Sequence, residues 1–191
     1  RVFGWVFDGY WEYARTLDTY YATNMDIVGE RAPDLRAWRV RTNLAPPTLG
    51  DPMPALFRPT ARVRSSLVCC DTVVEGTVER SLLSPGVVVG RGAIIRDSVI
   101  MHRCRIAEGA VVDRAILDKA VRVGPGARIG WGDPVPNRMY PRTLSSGVTV
   151  IGKNTMIPEG LRVGRGCVLS PDLGEADFPQ AEIPPGSVVS P

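Results

Sequence analysis

A repeat of 17 residues governs the middle of this chain. When residues 89–130 are written in rows of seventeen, glycine falls at positions 92, 109 and 126, and alanine follows it each time. Ser98 likewise lies above Ala115 in the next row. Self-similarity at a fixed period is typical of repeat proteins, in which one repeat cannot bury its apolar edge and must stack on its neighbours. We therefore expect a solenoid whose backbone hydrogen bonds run between successive coils.

Short aliphatic runs recur within the repeat. Each run has a polar pair, then serine or alanine, then two aliphatic residues, and the four are RVRSSLVCC, TVERSLLSP, IIRDSVIMH and VVDRAILDK. This pattern predicts short strands that stack in register on the previous coil. The small residue fits a tight corner of the backbone, and the glycines at 92, 109 and 126 fit corners that need a positive φ angle.

Residues 131–147 interrupt the repeat with three prolines and no aliphatic alternation, which predicts a loop displaced from the stack. Such insertions often form the binding surface of a repeat protein, although a loop without a function is an equal alternative. The repeat then resumes in sixes, led by Ile151, Ile157 and Val163. Three hexads make one triangular coil, so a full coil has about 18 residues.

The first sixty residues follow a different pattern. Residues 2–7, VFGWVF, read as a buried strand followed by a turn. Thr16 is the expected N-cap of a helix whose apolar residues recur at spacings of three and four, with Gly29 in the stop position. Residues 31–60 contain six prolines and predict an extended connector with at most one strand, at 38–42. Because the chain opens within an apolar run, we expect a fragment of a longer protein.

Composition excludes several classes of protein. The formal net charge is +3 and the basic residues are scattered, which argues against nucleic-acid binding. No apolar run is long enough to span a membrane, and no signal peptide opens the chain. We therefore expect a cytoplasmic protein with no nucleic-acid or membrane partner.

The four cysteines and the single histidine indicate packing more than chemistry. No CxxC spacing is present, and Cys104 and Cys167 occupy positions where the repeat has small side chains. Core packing is therefore favoured over a disulfide or a metal site. His102 lies between Pro85 and Lys119 in the row alignment, and the favoured interpretation is a solvated turn residue.

The hexads resemble the left-handed parallel β-helix of hexapeptide-repeat proteins. More specifically, the chain resembles the C-terminal part of glucose-1-phosphate adenylyltransferases, also called ADP-glucose pyrophosphorylases, in FDGYWEYARTLDTYYATNMDIV, DRAILDKAVRVG and SGVTVIGKNTMIPEG. The resemblance implies a mainly β fold with a left-handed β-helix at 61–191, including the inserted loop 131–147. It implies that residues 1–30 are a strand–helix remnant of an α/β nucleotidyltransferase domain, joined by a Pro-rich connector at 31–60.

The same resemblance implies a function. The full-length enzyme joins ATP and glucose 1-phosphate into ADP-glucose and pyrophosphate, with Mg²⁺, in glycogen biosynthesis. Its β-helix joins subunits into an oligomer, and an anionic sugar-phosphate or nucleotide effector binds between the β-helix and the catalytic domain. We expect this chain to be the regulatory and oligomerisation part, which forms a homo- or hetero-oligomer and is not catalytic alone.

One departure from the family pattern concerns catalysis. Active members carry YWxDxGT, whose aspartate helps to hold the catalytic magnesium, whereas residues 10–16 here read YWEYART. Tyr13 thus replaces the aspartate and Arg15 the glycine. A phenol is a poor magnesium ligand compared with a carboxylate. Unless Glu12 takes over this role, we expect this chain to have no catalytic residue, no metal and no cofactor of its own.

Effector-binding residues are carried over by position. Asp118 and Lys119, in AILDKAVRVG, match the effector-site pair of the family, and Lys153 lies at or beside its second lysine. Arg138, on the inserted loop, is a further candidate. A lysine suits a phosphate as a point charge. The alternative is that all of them are ordinary solvated residues of turns and loops.

Three other functions stay open at this stage. A non-catalytic regulatory homologue fits the loss of the aspartate at Tyr13. A purely structural assembly module fits a β-helix with apolar edges. A hexapeptide acyltransferase needs a catalytic histidine between coils, and His102 is the one candidate, but its neighbours Met101 and Arg103 include no orienting acid.

Overall fold

The computed structural model describes residues 1–30, 32–40 and 52–191. The regular elements of this part are one α-helix, α1 (Leu17–Asp26), one short 3-10 helix (Glu175–Asp177) and twenty strands of two to four residues. The strands are β1 (Leu56–Phe57), β2 (Arg62–Arg64), β3 (Leu67–Val68), β4 (Val73–Val74), β5 (Thr77–Glu79), β6 (Leu82–Leu83), β7 (Val88–Val89), β8 (Ile94–Arg96), β9 (Val99–Ile100), β10 (Arg105–Ile106), β11 (Val111–Asp113), β12 (Ala115–Leu117), β13 (Arg122–Val123), β14 (Arg128–Trp131), β15 (Thr149–Ile151), β16 (Met156–Ile157), β17 (Arg162–Gly164), β18 (Val168–Leu169), β19 (Glu182–Ile183) and β20 (Val188–Val189).

The strands form three parallel sheets, to which each coil contributes one strand, except that the last coil has no strand in face A. Face A has the order β1-β4-β7-β10-β13-β16, face B the order β19-β17-β14-β11-β8-β5-β2, and face C the order β20-β18-β15-β12-β9-β6-β3. Each strand pairs with its equivalents in the coils before and after it, so the three faces enclose a triangular prism. The predicted fold, a mainly β left-handed parallel β-helix, is confirmed.

The strand register reproduces the repeat read from the sequence. Val99 pairs with Ile116, one row of 17 later, whereas Ile151 pairs with Leu169, three hexads later. Glycines 92, 109 and 126 have φ angles of 67°, 67° and 62° and turn the corner between faces A and B, as predicted. At the other two corners non-glycine residues also adopt positive φ, for example Asp97 (46°) and Ala120 (59°), alongside glycines such as Gly86 (75°) and Gly166 (69°).

The core of the β-helix is a stack of inward-facing aliphatic side chains. Cys104 and Cys167 are buried in it, as predicted, and are not in disulfides. Their thiols donate to carbonyl oxygens of Asp118 (3.0 Å) and Pro184 (3.2 Å). Burial raises the pKa of Cys104 to about 12, so its thiol stays protonated and acts as a packing group.

A ladder of serines replaces backbone pairing at the corner between faces B and C. The N–H groups of Ser81, Ser98 and Ala115 each donate to the hydroxyl one coil earlier, on Ser66, Ser81 and Ser98, at 3.1 Å in every case. The hydroxyls of Ser81 and Ser98 donate in turn to carbonyls two residues earlier. The small residue predicted at this corner therefore also satisfies a buried N–H of the next coil.

The predicted strand at residues 2–7 is wrong. These residues form no strand, and their large side chains are exposed, with Trp5 91% accessible. A strand needs a neighbouring strand for its backbone hydrogen bonds, and none lies beside this segment among the described residues. The helix prediction is confirmed: the Thr16 side chain accepts from Thr19 N (3.1 Å), and α1 ends at Asp26, shortly before Gly29.

The connector is only partly within the described residues. Residues 35–39 form a turn, because the Asp34 carboxylate accepts from the N–H groups of Arg36 and Ala37 at 2.9 Å. The possible strand at 38–42 is absent over 38–40, and positions 41 and 42 lie outside the described residues. Strand β1 falls inside the predicted connector and already pairs with β4, so the stack includes residues before position 61.

The inserted loop folds back onto the stack and is not displaced from it. Asn137 is fully buried, and its amide donates to Gly166 O (2.8 Å) while its oxygen accepts from Met139 N and Tyr140 N. Leu144 is also buried, against the side of α1 and face C. The loop therefore joins the β-helix to α1. In the described ranges no helix is long and apolar enough to cross a bilayer.

Replacing Ser98 by alanine tests the serine ladder. The Ser98→Ala change leaves the buried N–H of Ala115 without its acceptor, and we expect the free energy of unfolding to fall by about 1–3 kcal/mol. Urea unfolding followed by circular dichroism measures it. Ser190→Ala, the same change at an exposed position, is the matched control. Equal stability of the two variants would contradict the role given to the ladder.

Candidate functional site

Helix α1 covers the outer surface of face C. Tyr21 packs with the outward side chains of Leu82, Val99 and Ile116 in a second apolar cluster, separate from the β-helix core. Its hydroxyl donates to Asp97 O at 2.6 Å, and the Arg114 guanidinium lies 5.5 Å from its ring centroid. Burial raises the pKa of Tyr21 to about 12, so the phenol stays neutral. Face C is thus buried on both sides, and α1 stands as a fixed wall beside it.

The first turn of α1 is anchored to the inserted loop by one carboxylate. Asp18 accepts from the N–H and hydroxyl of Ser145 at 2.6 and 2.8 Å, and from the N–H and hydroxyl of Ser146 at 3.2 and 2.6 Å. Partial burial alone would raise the pKa of Asp18, but the hydrogen bonds from the two serines outweigh it and lower the pKa. The loop thereby fixes the position of the wall.

A column of residues runs along the corner between faces C and A. Its members occupy the same position in successive coils, and each carbonyl accepts from the following coil: Pro85 O from Arg103 N, His102 O from Ala120 N, Lys119 O from Asn154 N and Lys153 O from Asp172 N, at 2.8–3.0 Å. In the order His102, Lys119, Lys153, each residue therefore lies one coil from the next, about 5 Å away by the spacing of paired strands. We call these three residues the corner column.

A cleft of about 320 Å³ separates α1 from this corner. Tyr20 and Asn24 of α1 line one side, and His102 and Lys119 line the other, with outer side chains of face C as the floor. A second cleft of about 830 Å³ adjoins it and shares His102. The guanidinium-bearing residues Arg36 and Arg39 line this second cleft. Among the residues that the structure describes, none that lines either cleft is acidic.

Lys119 carries the accessible charge of the first cleft. Its Nζ is 3.6 Å from Asp118 Oδ1, which also accepts from the Lys119 N–H at 2.7 Å. The Lys119 side chain is 55% exposed, and such a surface pair contributes only about 0–1 kcal/mol. The pairing is too weak to withhold the ammonium group from an anionic ligand. Asp118 therefore orients the turn without neutralising the site.

The predicted effector residues are only partly brought together. Asp118, Lys119 and Lys153 share the corner between faces C and A, although Lys153 is exposed and does not line the cleft. Arg138 lies at a different corner, between faces B and C, where its N–H donates to Gly186 O at 2.9 Å. The repeat register located the lysines, whereas the position of a loop residue depends on long-range packing that no repeat encodes.

His102 lies in a turn, as predicted, but it is half-buried, so its interpretation as a solvated residue is wrong. Its ring lines both clefts, and its Nδ1 atom is buried without a hydrogen-bond partner among the described residues. Burial, together with the charges of Lys119 and Arg103, lowers the pKa of the imidazole. Repeat alignment placed His102 beside Lys119, but the docking of α1 that encloses it left no signal in the sequence. The sequence likewise contained no indication that Arg36 and Arg39 line the larger cleft.

The segment that departs from the family pattern does not fit a magnesium site. Tyr13 is 57% exposed, and its ring stacks on Trp11 with centroids 6.2 Å apart. Glu12 is exposed beside it. Over residues 1–30, 32–40 and 52–191, no group of three or more His, Cys, Asp or Glu side chains is placed to hold a metal ion. We therefore assign no metal-dependent step to this chain.

Comparison with known proteins places these features in context. Residues 57–151 match a family model described as GlmU-like, C-terminal hexapeptide. A glucose-1-phosphate adenylyltransferase of Thermomicrobium roseum is 42% identical over 100% of this chain and 45% of its own length. One of Acetivibrio thermocellus is 32% identical over 95% of this chain and 42% of its own length. The chain thus spans less than half the length of these curated relatives.

Solved structures show weaker likeness. The acetyltransferase domain of PglB from Neisseria gonorrhoeae is 23% identical over 71% of this chain and 57% of that chain, with a TM-score of 0.31. A putative acetyltransferase from Desulfovibrio desulfuricans is 14% identical over 68% of this chain and 24% of that chain, with a TM-score of 0.40. No functional argument follows from similarity at this level.

Removing the charge of Asp18 tests the anchoring of α1. Because hydrogen bonds to a charged group are worth about 1.5–3 kcal/mol, we expect Asp18→Asn to raise amide hydrogen exchange in α1 by about ten-fold or more at pH 7. The folded-state pKa of Asp18 is lowered, so its stabilisation is present above the unfolded pKa and is lost as pH falls through the folded value. Stability measured from pH 5 to pH 2 should therefore fall more in the wild type than in Asp18→Asn. Asp8→Asn, at an exposed position, is the control.

Proposed function

The chain is homologous along its length to a part of glucose-1-phosphate adenylyltransferases, as its sequence resemblance predicted, and we propose that it is their regulatory and oligomerisation part. In this proposal the full-length enzyme converts ATP and glucose 1-phosphate, with Mg²⁺, into ADP-glucose and pyrophosphate for glycogen synthesis. The present chain contributes regulation and assembly, and it performs no nucleotidyl transfer by itself.

The observation that carries the regulatory role is the cationic cleft between α1 and the β-helix. Lys119 projects from a rigid corner whose backbone is held by the coils on either side. A lysine binds phosphate as a point charge, so its position matters more than the bidentate hydrogen-bond geometry that an arginine guanidinium requires. Arg36 and Arg39 border the adjoining cleft, so the local field favours anions across both. The ligand class proposed is an anionic sugar phosphate or nucleotide.

The exposed apolar N-terminal segment supports the assignment of residues 1–30 to a nucleotidyltransferase domain. Phe3, Trp5 and Trp11 are each at least 71% accessible, and Val2, Val6 and Phe7 are exposed with them. Soluble proteins rarely expose so much contiguous apolar surface unless it contacts a partner. In this proposal the segment packs on the rest of that domain, and the β-helix joins subunits into a homo- or hetero-oligomer.

Two neighbouring functions are separated by experiment. The tyrosine at position 13 favours a non-catalytic regulatory homologue, in which the full-length protein makes no ADP-glucose but alters the activity of a partner subunit. An assembly module alone would oligomerise without binding phosphate. The acyltransferase alternative gains no support from the site, because no carboxylate in the described structure hydrogen-bonds to His102 and orients its ring.

Neutralising Lys119 tests the effector site. We expect Lys119→Gln to weaken the binding of inorganic phosphate by about ten-fold or more, since a hydrogen bond to a charged group is worth about 1.5–3 kcal/mol. Isothermal titration calorimetry at low ionic strength measures the affinity. Lys153→Gln should have a smaller effect, because Lys153 does not line the cleft, and Arg138→Gln should have none. Unchanged affinity in Lys119→Gln would overturn the regulatory proposal.

Catalysis and assembly are tested on the same preparation. Incubated with ATP, glucose 1-phosphate and Mg²⁺, the chain should release no pyrophosphate in a coupled assay. Tyr13→Asp should not change this result, because no cluster of metal-ligating side chains lies around position 13 in the described part of the chain. Light scattering should show a mass above that of the 20.7 kDa monomer. Turnover by the isolated wild-type chain would contradict the proposal, and a monomer would remove its assembly part.

A further inference from the structure

His102 has features that the function proposed for Lys119 does not use. It is the sole histidine of the chain, and it precedes Lys119 in the corner column by one coil. Both side chains line the cleft beside α1, whereas His102 alone also lines the adjoining cleft. The imidazole therefore lies at the junction of the two clefts, one strand spacing from the lysine that we propose as the anion ligand.

The Nδ1 atom of this ring has no structural role. It is buried and accepts or donates no hydrogen bond among the described residues, so no hydrogen bond at Nδ1 fixes the orientation of the ring. An unpaired buried polar atom costs about 1–3 kcal/mol, which the ring can recover by turning toward a ligand. A histidine that serves only to pack would not keep this cost, because several apolar side chains fill the same volume.

Among the described residues, the side chains that share the clefts with His102 are cationic or neutral. Lys119 and Arg103, from the β-helix, act on the imidazole through their charges. Arg36 and Arg39, from the turn after α1, line the larger cleft, and Tyr20 of α1 lines the smaller one. Cys69 and Cys70 line the larger cleft beside it. Asp118, the one carboxylate that pairs with Lys119, lines neither cleft. The surroundings thus hold excess positive charge that an oxyanion would neutralise.

We propose that His102 is an anion-binding residue that, together with Lys119, binds a tetrahedral oxyanion such as the phosphate of a phosphate ester and takes up a proton as that ligand binds. The inference rests on the proposed function of Lys119. It adds a regulatory property, namely that the ligand is held more tightly under mildly acidic conditions than under alkaline ones.

The direction of this pH dependence follows from linkage. In the free chain, burial and the neighbouring cations lower the pKa of His102, which favours the neutral imidazole. A bound oxyanion offsets those cations and favours the imidazolium, which donates two N–H groups instead of one. The pKa is then higher in the complex than in the free chain. The extra affinity is fully present below the free pKa and is lost as pH rises through the bound value.

Sodium sulfate is the probe of choice, because sulfate does not titrate between pH 5.5 and 8 and any proton taken up must come to the protein. We expect its affinity to rise by about three- to ten-fold from pH 8 to pH 5.5, since a shift of one pKa unit is a factor of ten. Calorimetry in buffers of different ionisation enthalpy should show net proton uptake near pH 6. The Hε1 signal of the single histidine, followed by NMR, should titrate at higher pH with sulfate than without it.

Two variants separate the possible outcomes. His102→Gln, which keeps a hydrogen-bond donor but cannot titrate, should bind sulfate with nearly pH-independent affinity, close to the wild-type value at pH 8. If this variant keeps the wild-type pH dependence, or if sulfate leaves the histidine titration unchanged, the role of His102 is overturned. If Lys119→Gln binds sulfate as the wild type does, the proposed function itself fails. Circular dichroism verifies that both variants fold.

The same measurement distinguishes the possible sources of the phosphate group. Glucose 6-phosphate and ATP are each titrated against the sulfate-saturated chain, and the histidine signal reports which of them displaces sulfate. Displacement by glucose 6-phosphate alone identifies a sugar phosphate as the ligand class, and displacement by ATP alone identifies a nucleotide. If neither displaces sulfate at millimolar concentration, the proposal of a phosphate-ester ligand at His102 is overturned.

Discussion

The hydrogen bonds between coils are the constraint on which the whole structure depends. Every strand has only two to four residues, too few to be stable as an isolated pair, so each is held by its equivalents 15 to 34 residues away in the chain. A slip of one residue would exchange the inward and outward side chains of every strand after it. Corner glycines, the serine ladder and buried thiols all fix this register. The register also aligns side chains of successive coils into columns, and in this way it places His102 and Lys119 side by side on the cleft.

Face C shows how the scaffold acquires a site. Its outward side chains are apolar, unlike most exposed faces of a β-helix, and α1 covers them through Tyr21 and its neighbours. A cleft remains between the helix and the corner where His102 and Lys119 project. Helix α1 and face C pack together because both bury apolar side chains. At their boundary they form a concave region that carries positive charge and that no carboxylate of the described residues lines.

The sequence was informative wherever local repetition determines structure. The period, the positive φ angles of three glycines, the burial of Cys104 and Cys167 and the capping of α1 by Thr16 could all be predicted, because each depends on the residue and its place in a coil or turn. Three features could not be predicted in this way: the exposed, non-strand conformation of residues 2–7, the environment of His102 and the corner occupied by Arg138. Those depend on which surfaces meet, and residues that are far apart in the chain decide this.

The four hydrogen bonds to Asp18 impose an order on events during protein synthesis. The carboxylate lies in the first turn of the helix, yet its serine partners come 127 and 128 residues later. Helix α1 therefore emerges from the ribosome long before the surface that fixes it, and it can dock only after most coils have stacked. The cleft is among the last features of the molecule to form. A nascent chain that stalled before the inserted loop would lack both the serines that fix α1 and the coil of Asn154, whose N–H holds the carbonyl of Lys119, so ligand binding would report the completion of folding.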